Sequence, residues 1–321
     1  MRKRGEESAK KLAVHSATAL YRLFRLFLLL GISYIVLYPI ITMLLESLTM
    51  PSDLFSSSHM WIPDHPTFEN YRTWTGYFAY AKHVKITLEI SVISTALQLI
   101  VCSLTGYGLA RYRFRGNFLV FIMVILTIIV PIQTAQIPQY QDYQRFDFFG
   151  LGRLIGLFTG KPLTVNLLGT NWVVFIPAML GVGVNAGLYI FLFRQFFKGL
   201  PSELEDAGRI DGCNALQTFL RVMAPNTIPV FVTVALLSMI FYWNDTLISN
   251  MYLNLDDAMP LMLYVEKMTD PQVASALGLS PEQYKAQTYV SLLTAVSPLT
   301  LVYIFCQNFF TACIDRSGIK G

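Results

Sequence analysis

Residues 201–225, PSELEDAGRIDGCNALQTFLRVMAP, decide how the rest of the chain is read. The stretch is polar and lies between two apolar runs. Ser202-x-x-Glu205 has the form of a capping box, in which Ser accepts from the third helical N–H and Glu reaches back, so a helix is expected to begin there. Gly212 interrupts the pattern, and Asn214-x-x-Gln217 offers a second start. Leu216, Phe219, Leu220 and Met223 recur at helical spacing as one apolar face, and Pro225 is expected to stop the helix. The expectation is two short helices meeting at a glycine. Ala207, Gly208 and Gly212 are small enough for a neighbouring ridge to approach, while Glu203, Glu205, Asp206, Arg209 and Asp211 supply a polar rim. Read from its residues alone, such an element is either a docking surface for another protein or a hairpin that merely joins its flanking runs.

Those flanking runs set the class. Of the 321 residues, 54% are hydrophobic and only 14% charged, against about 25% charged in a soluble domain. Crossing a bilayer takes about 20 apolar residues. Six stretches qualify: 23–45, 86–110, 118–138, 172–193, 230–252 and 288–311. In the second, Glu89 and Gln98 interrupt the run, and Gly106, Gly108 and Ala110 offer a small-residue surface for close helix packing. The first run is too long for a signal peptide and lacks a small-residue cleavage site, so it reads as a retained helix. Pro131 and Pro138 are candidate kinks in the third.

Lys and Arg set the orientation. With the N-terminus inside, inner segments hold 16 of the 24 Lys and Arg residues, including Arg111, Arg113, Arg115, Arg194, Lys198, Arg209 and Arg221. Both termini are therefore expected on the cytoplasmic side. The net charge of +4 is a topology signal rather than a mark of nucleic-acid binding. The outer loops are expected to hold short helices and irregular turns. Cys102, Cys213, Cys306 and Cys313 form no CxxC pair, and His15, His59, His65 and His83 all fall outside the apolar runs, so neither a disulfide framework nor a metal site is expected.

With these residues in place, the central stretch resembles the EAA loop of binding-protein-dependent ABC importer permeases, whose pattern is EAA, three residues, Gly, nine residues and I-x-L-P. Here it reads Asp206-Ala207-Gly208, then Gly212, closing at Val222-Met223-Ala224-Pro225. Asp206 stands for the usual Glu and Gly208 for the second Ala. Phe191-Leu192-Phe193-Arg194-Gln195-Phe196-Phe197, Trp243-Asn244-Asp245, Leu253-Asn254, Pro260-Leu261, Tyr107-Gly108-Leu109-Ala110-Arg111, Gln307-Asn308-Phe309-Phe310 and Gly318-Ile319-Lys320-Gly321 resemble signatures of the carbohydrate, maltose-permease-like branch.

The resemblance implies an all-α membrane protein with six transmembrane helices and the type I (MetI-like) importer permease fold. It implies a cytoplasmic segment at 1–22, a permease domain at 23–314 with the coupling loop at 194–229, and a cytoplasmic tail at 315–321. The implied function is ATP-driven import of a sugar or oligosaccharide by alternating access across the cell membrane. The implied partners are a second, non-identical permease chain, two ATPase chains and an extracytoplasmic solute-binding protein. ATP and Mg would reside on the ATPase chains, leaving this chain without a cofactor and without catalysis. Coupling would fall to Glu203, Glu205, Asp206, Ala207, Gly208, Arg209, Asp211, Gly212, Leu216 and Phe219.

Polar groups at membrane depth are costly and so hint at function. Gln133, Gln136, Asn185, Trp243, Asn244 and Asp245 are the substrate-pathway candidates, and interhelical bonding is the competing reading for each. Gly156-Leu157-Phe158-Thr159-Gly160-Lys161-Pro162 lacks one residue of P-loop spacing and has Pro162 where Ser or Thr must hold magnesium, so it is not a nucleotide loop. Two alternatives stay open. A permease for glycerol phosphate or another small solute would want basic residues inside a span, and none is evident. A stand-alone secondary transporter would want mid-span relay carboxylates or repeated halves, and only Glu89 and Asp245 are available.

Overall fold

The computed structural model describes residues 2–54, 63, 65–77, 80–253 and 259–317, and only the backbone of 2–17, 76–77 and 308–317. His59, Asn254 and the Gly318-Ile319-Lys320-Gly321 tail lie outside the described residues, as do the side chains of Asn308, Phe309 and Phe310. The described chain is helical. In order it runs α1 (Arg2–Ser47), α2 (Glu69–Tyr77), α3 (Tyr80–Arg111), α4 (Asn117–Ile129), α5 (Gln133–Gln144), α6 (Leu151–Thr159), α7 (Trp172–Met179) and α8 (Ala186–Gly199). It continues through α9 (Glu203–Ile210), α10 (Ala215–Thr218), a π-turn (Phe219–Met223), α11 (Ala224–Asn226), α12 (Ile228–Trp243), α13 (Leu247–Tyr252), α14 (Leu261–Met268), α15 (Pro271–Ala276) and α16 (Pro281–Ser317).

Among the described residues three helices are long and apolar enough to cross a membrane: Thr18–Ser47, Tyr80–Arg111 and Pro281–Gln307. Two bent pairs bring the number to five if each is one span. The first pair, α4 and α5, turns through 97°. The bend falls at Pro131, which has no N–H to continue the ladder, while Pro138 lies inside α5 without ending it. The expected single helix over 172–193 is not formed. It divides into α7 and α8, because Gly181 (φ +71), Gly183 and Asn185 (φ +54) place left-handed and unrestrained backbone in its middle. The expected run over 230–252 likewise ends at Trp243 and resumes as α13.

The chain divides into two units, Met1–Gly76 with Pro271–Leu293 and Tyr77–Asp270 with Thr294–Gly321. In the first, Asn70 donates to the carbonyls of Ser47 (2.9 Å) and Thr49 (2.8 Å), and Lys285 pairs with Glu46 at 2.9 Å. In the second, α3 is the central element, packed on α8, α12 and α7. Its small-residue surface is used at one position. A Cβ on Gly106 would lie 2.6 Å from Phe193 Cβ and 3.0 Å from Arg194 N, so only glycine lets α3 and α8 approach this closely, whereas Gly108 faces open space. Cys102, Tyr107, Tyr189, Phe193, Phe197, Phe219, Met223 and Val234 form the core around that contact.

Backbone groups in lipid must be satisfied from within the protein. Gln98, which interrupts the second apolar run, donates to Val184 O in the α7–α8 break at 2.9 Å and accepts from Ser238 Oγ at 2.8 Å. Pro298 lies inside α16 and, lacking an N–H, leaves the Thr294 carbonyl without its helical donor. The Tyr80 hydroxyl of α3 donates to that carbonyl at 2.9 Å, and Trp243 Nε1 of α12 donates to the neighbouring Ala295 O at 2.9 Å. Glu89 sits one turn beyond Lys85 at 3.9 Å and is about half exposed.

Candidate functional site

The stretch 201–225 folds as two helical pieces meeting at a glycine, but with different caps from those expected. Ser202 is itself helical (φ −68°, ψ −27°) and makes no capping bond. Its intended partner, Glu205, is drawn inward instead. Arg111, the last residue of α3, lies with Nε 3.5 Å from Glu205 Oε1, an ion pair rather than an aligned hydrogen bond, with the two side chains 13% and 10% exposed. The same guanidinium donates through Nη2 to the Leu200 carbonyl at 2.6 Å, and the Tyr107 hydroxyl lies within electrostatic reach of the Glu205 carboxylate. Both charges are nearly buried, so either one would be stranded without the other. α9 is thus clamped at its root to the end of α3.

The second cap forms. Asn214 Oδ1 accepts from Gln217 N at 2.9 Å, and Gln217 Oε1 accepts from Asn214 N at 3.0 Å. Between the helices Gly212 takes φ +78°, the left-handed conformation glycine adopts without penalty, and Cys213 N–H closes on Gly208 O at 3.0 Å. Gly208 is buried, and a Cβ there would sit 3.3 Å from Val222 and 3.5 Å from Thr218, so an alanine would have to displace Val222 by a few tenths of an ångström. Glycine in place of alanine at 208 therefore sets the spacing of α9 on the second helix.

The expected single apolar face is split. Phe219 and Met223 are buried in the core, with Phe219 against Tyr107 (5.2 Å) and Phe197 (5.9 Å) between ring centroids. Leu216 and Leu220 instead are 57% exposed and join Ile210, 86% exposed. The division runs between two i, i+4 rows, Leu216–Leu220 and Phe219–Met223; Phe219 N–H still bonds regularly to Ala215 O, and only beyond it does a π-turn open, where Ala224 N–H bonds back five residues to Phe219 O. The wide turn also admits Pro225, whose ring would clash with the carbonyl four residues back in a regular helix. The helix consequently runs past Pro225 to Asn226 and then bends by 83° into α12.

The elbow therefore presents Ile210, Leu216 and Leu220 outward, with Glu203, Asp206, Ala207, Arg209, Asp211 and Gly212 exposed around them. Asp206 and Arg209 lie 3.8 Å apart, and both side chains are 65% exposed, so their attraction is weak in water. Arg111 and Ile210 were not singled out from sequence. For Arg111 the only signal was the Tyr107–Arg111 run, whose partner lies far along the chain.

The six pathway candidates do not converge. Trp243 is buried and bonded to Ala295. Asp245 accepts from the N–H groups of Ile248 (3.2 Å) and Ser249 (2.9 Å) and from Ser249 Oγ, starting α13 as a cap. Asn244 bonds back to Ile240 O at 2.9 Å, and Asn185 starts α8 in the left-handed conformation. Gln133 is exposed, and Gln136 is buried with Nε2 unpartnered and its carbonyl held by Tyr252. A cavity of about 30 Å³ lies nearby, lined by Gln139, Tyr143, Val184, Tyr242, Ile248 and Tyr252 among others. It has room for roughly one or two waters, far less than a pyranose ring needs.

The family model described as binding-protein-dependent transport system inner membrane component matches residues 13–316. The arabinooligosaccharides transport system permease protein AraQ of Bacillus subtilis is 28% identical over 309 residues, covering 94% of this chain and 97% of that protein. The polygalacturonan/rhamnogalacturonan transport system permease protein YtcP of the same organism is 24% identical, covering 91% and 96%. A chain from the crystal structure of a bacterial ABC transporter involved in the import of the acidic polysaccharide alginate aligns with TM-score 0.72 at 22% identity, covering 91% of this chain and 96% of its own.

Proposed function

We infer the function from one premise: this chain belongs to the family of binding-protein-dependent transport system inner membrane components. Its all-helical fold is the MetI-like fold of type I importer permeases, and it serves transport rather than catalysis. The finer reading is that it is one permease chain of an ATP-driven importer of an oligosaccharide. The sugar is supported by what its relatives are named for, arabinooligosaccharides and polygalacturonan among them.

In this reading the chain spans the membrane six times with both termini inside, α7 and α8 together counting as one interrupted span. It pairs with a second permease chain, two ATPase chains and a solute-binding protein. ATP and Mg stay on the ATPases. The scattering of the pathway candidates supports a sugar route completed by the second permease. The glycerol phosphate alternative gains no support from the names of these relatives.

One observation carries the coupling role: the elbow leaves three aliphatic side chains uncovered, Ile210, Leu216 and Leu220, among exposed charged residues and tied to α3 by the Arg111–Glu205 pair. Solvent-facing aliphatics on a braced, capped element suit a cleft on a partner. When the ATPases close on ATP, the elbow would be carried with them and the spans would rock to alternate access. The purified chain is expected to hydrolyse no ATP, whereas the complex with its ATPases in lipid should do so faster when loaded binding protein is added. A cysteine at Leu216 should crosslink to the ATPase chain in that complex. Capture of no ATPase from that position would end the coupling reading.

Gly212 gives a sharper test. Nothing lies within 4 Å of a Cβ placed there, so the penalty for substitution is conformational alone. Gly212→Val should cost about 1–2 kcal/mol in the left-handed region, and Gly212→Asn much less. Transport per ATP should fall for valine and be largely kept for asparagine, with equal amounts of folded protein in the membrane. Equal transport by both variants would separate the elbow from coupling.

A further inference from the structure

Residues 146–165 leave the helical bundle and return to it. Phe146 and Val165 exchange backbone hydrogen bonds, each 2.9 Å, and Leu167 N–H donates to Tyr143 O at 2.9 Å. The base of the excursion is thereby pinned where α5 ends, a few residues before the apolar α7 begins. Asp147 starts α6: its carboxylate accepts from Gly150 N–H at 2.9 Å and its carbonyl from Gly152 N–H at 2.7 Å. The 156–162 stretch closes as a turn, with Gly160 at φ +75° and Pro162 packed on Gly156.

α6 has two unlike faces. Gly152 and Gly156, four residues apart, press against the returning chain. A Cβ on Gly152 would overlap the Leu163 carbonyl oxygen, and one on Gly156 would lie 2.9 Å from Pro162 Cα. The opposite face carries Leu154, Leu157 and Phe158, exposed by 53%, 81% and 86%. Arg153 is carried on the same helix and Arg145 and Lys161 are exposed shortly before and after it, with Asp147 paired to Arg153 at 3.1 Å.

We propose that α6 is an interfacial membrane helix. Its Leu154–Leu157–Phe158 face sinks among acyl chains, and Arg145, Arg153 and Lys161 meet lipid phosphates. The site lies on the side of the membrane where α5 ends and α7 begins. Two observations select lipid over a protein partner. Leu and Phe on one face with Arg and Lys at its border is the composition of a helix lying in the headgroup plane. Arg145, Arg153 and Lys161 outnumber Asp142 and Asp147, and the surplus complements phosphate. Trp172, at the start of α7 and 54% exposed, adds an aromatic anchor at the same boundary.

The test is a spin-label scan. Single cysteines at Arg153, Leu154, Leu157 and Phe158 are made in a chain whose Cys102, Cys213, Cys306 and Cys313 are serine. The labelled protein is reconstituted in vesicles of phosphatidylethanolamine and phosphatidylglycerol. Collision with oxygen reports lipid, and collision with a water-soluble nickel chelate reports solvent. The oxygen-to-nickel ratio should be severalfold higher at 154 and 158 than at 153. The labelled side chains are exposed, so elution on size exclusion should match the cysteine-free parent. Nickel access at 158 equal to that at 153 would overturn the proposal by placing the face in water. Shielding of 158 from both reagents would overturn it by placing protein there.

Discussion

Arg111→Ala is expected to release α9 from the end of α3. The change leaves the Glu205 carboxylate nearly buried without its cation, and removes the donor held by Leu200 O. Breaking a buried pair by deleting one partner costs about 3–5 kcal/mol, because the surviving charge is stranded. Amide exchange over Glu203–Ile210 should therefore quicken by about a hundredfold or more in the chain held in nanodiscs. Glu205→Ala should do the same from the other side. The double variant Arg111→Met with Glu205→Leu should restore most of the protection, since neither charge then needs a partner. Unchanged exchange in Arg111→Ala would mean that the pair does not hold the elbow. Because the clamp joins the docking element to the central helix, loosening it should also lower transport per ATP in the assembled importer.

The second large effect is expected at Gly106. Any side chain there meets Phe193 Cβ at 2.6 Å, Arg194 N at 3.0 Å and Ile190 O at 3.1 Å, and two of those three atoms are backbone. A flexible neighbour could yield, but two helix backbones cannot without parting. Gly106→Leu should therefore force α3 from α8 and disturb the core around Phe193 and Phe197, at a cost of about 3 kcal/mol or more. The melting temperature of the detergent-solubilised chain should fall by about 5–10 °C. Gly108→Leu, one step along the same run but facing open space, is the matched control and should melt within about 2 °C of the parent. Equal melting of the two variants would show that the close approach of α3 and α8 does not govern stability.

The contrast between Gly106 and Gly108 shows how far the sequence could be read. Small residues near the end of the second apolar run announced a close contact, but not which of them made it, because that depends on the rotation of α3 about its axis. Long spans such as α1, α3 and α16 were evident, since apolar length alone defines them. The break in 172–193 was not. Gly181, Gly183 and Asn185 are mild interruptions in composition, and their effect comes from the positive φ of Gly181 and Asn185, from the close approach of Tyr242 and Gln98 to Gly183, and from the Gln98 bond to Val184, which joins residues far apart in sequence. The elbow was legible as helix, glycine, helix, whereas its caps were ranked wrongly. Ser202 with Glu205 has the stronger pattern, yet Arg111 takes Glu205 away, so the Asn214–Gln217 pair is the one that closes. The exposed ledge was half visible. Leu216 and Phe219 are neighbours on one face by spacing, but the core covers the Phe219–Met223 row and leaves the Leu216–Leu220 row exposed.

Pro298 has a consequence for how α16 finds its place. A proline inside a span is usually counted as a weakness, since one rung of the ladder is missing. Here the vacated oxygen of Thr294 is taken by Tyr80 from α3, and the adjoining oxygen of Ala295 by Trp243 from α12. Greasy surfaces can slide past one another by a turn at little cost, but a stranded carbonyl in hydrocarbon cannot be ignored. The missing rung thus works as a vernier mark: three helices come into alignment at one setting, and a neighbouring setting leaves the Thr294 oxygen with only the Ser297 hydroxyl of its own helix, at 3.1 Å, and the Trp243 indole N–H without its acceptor.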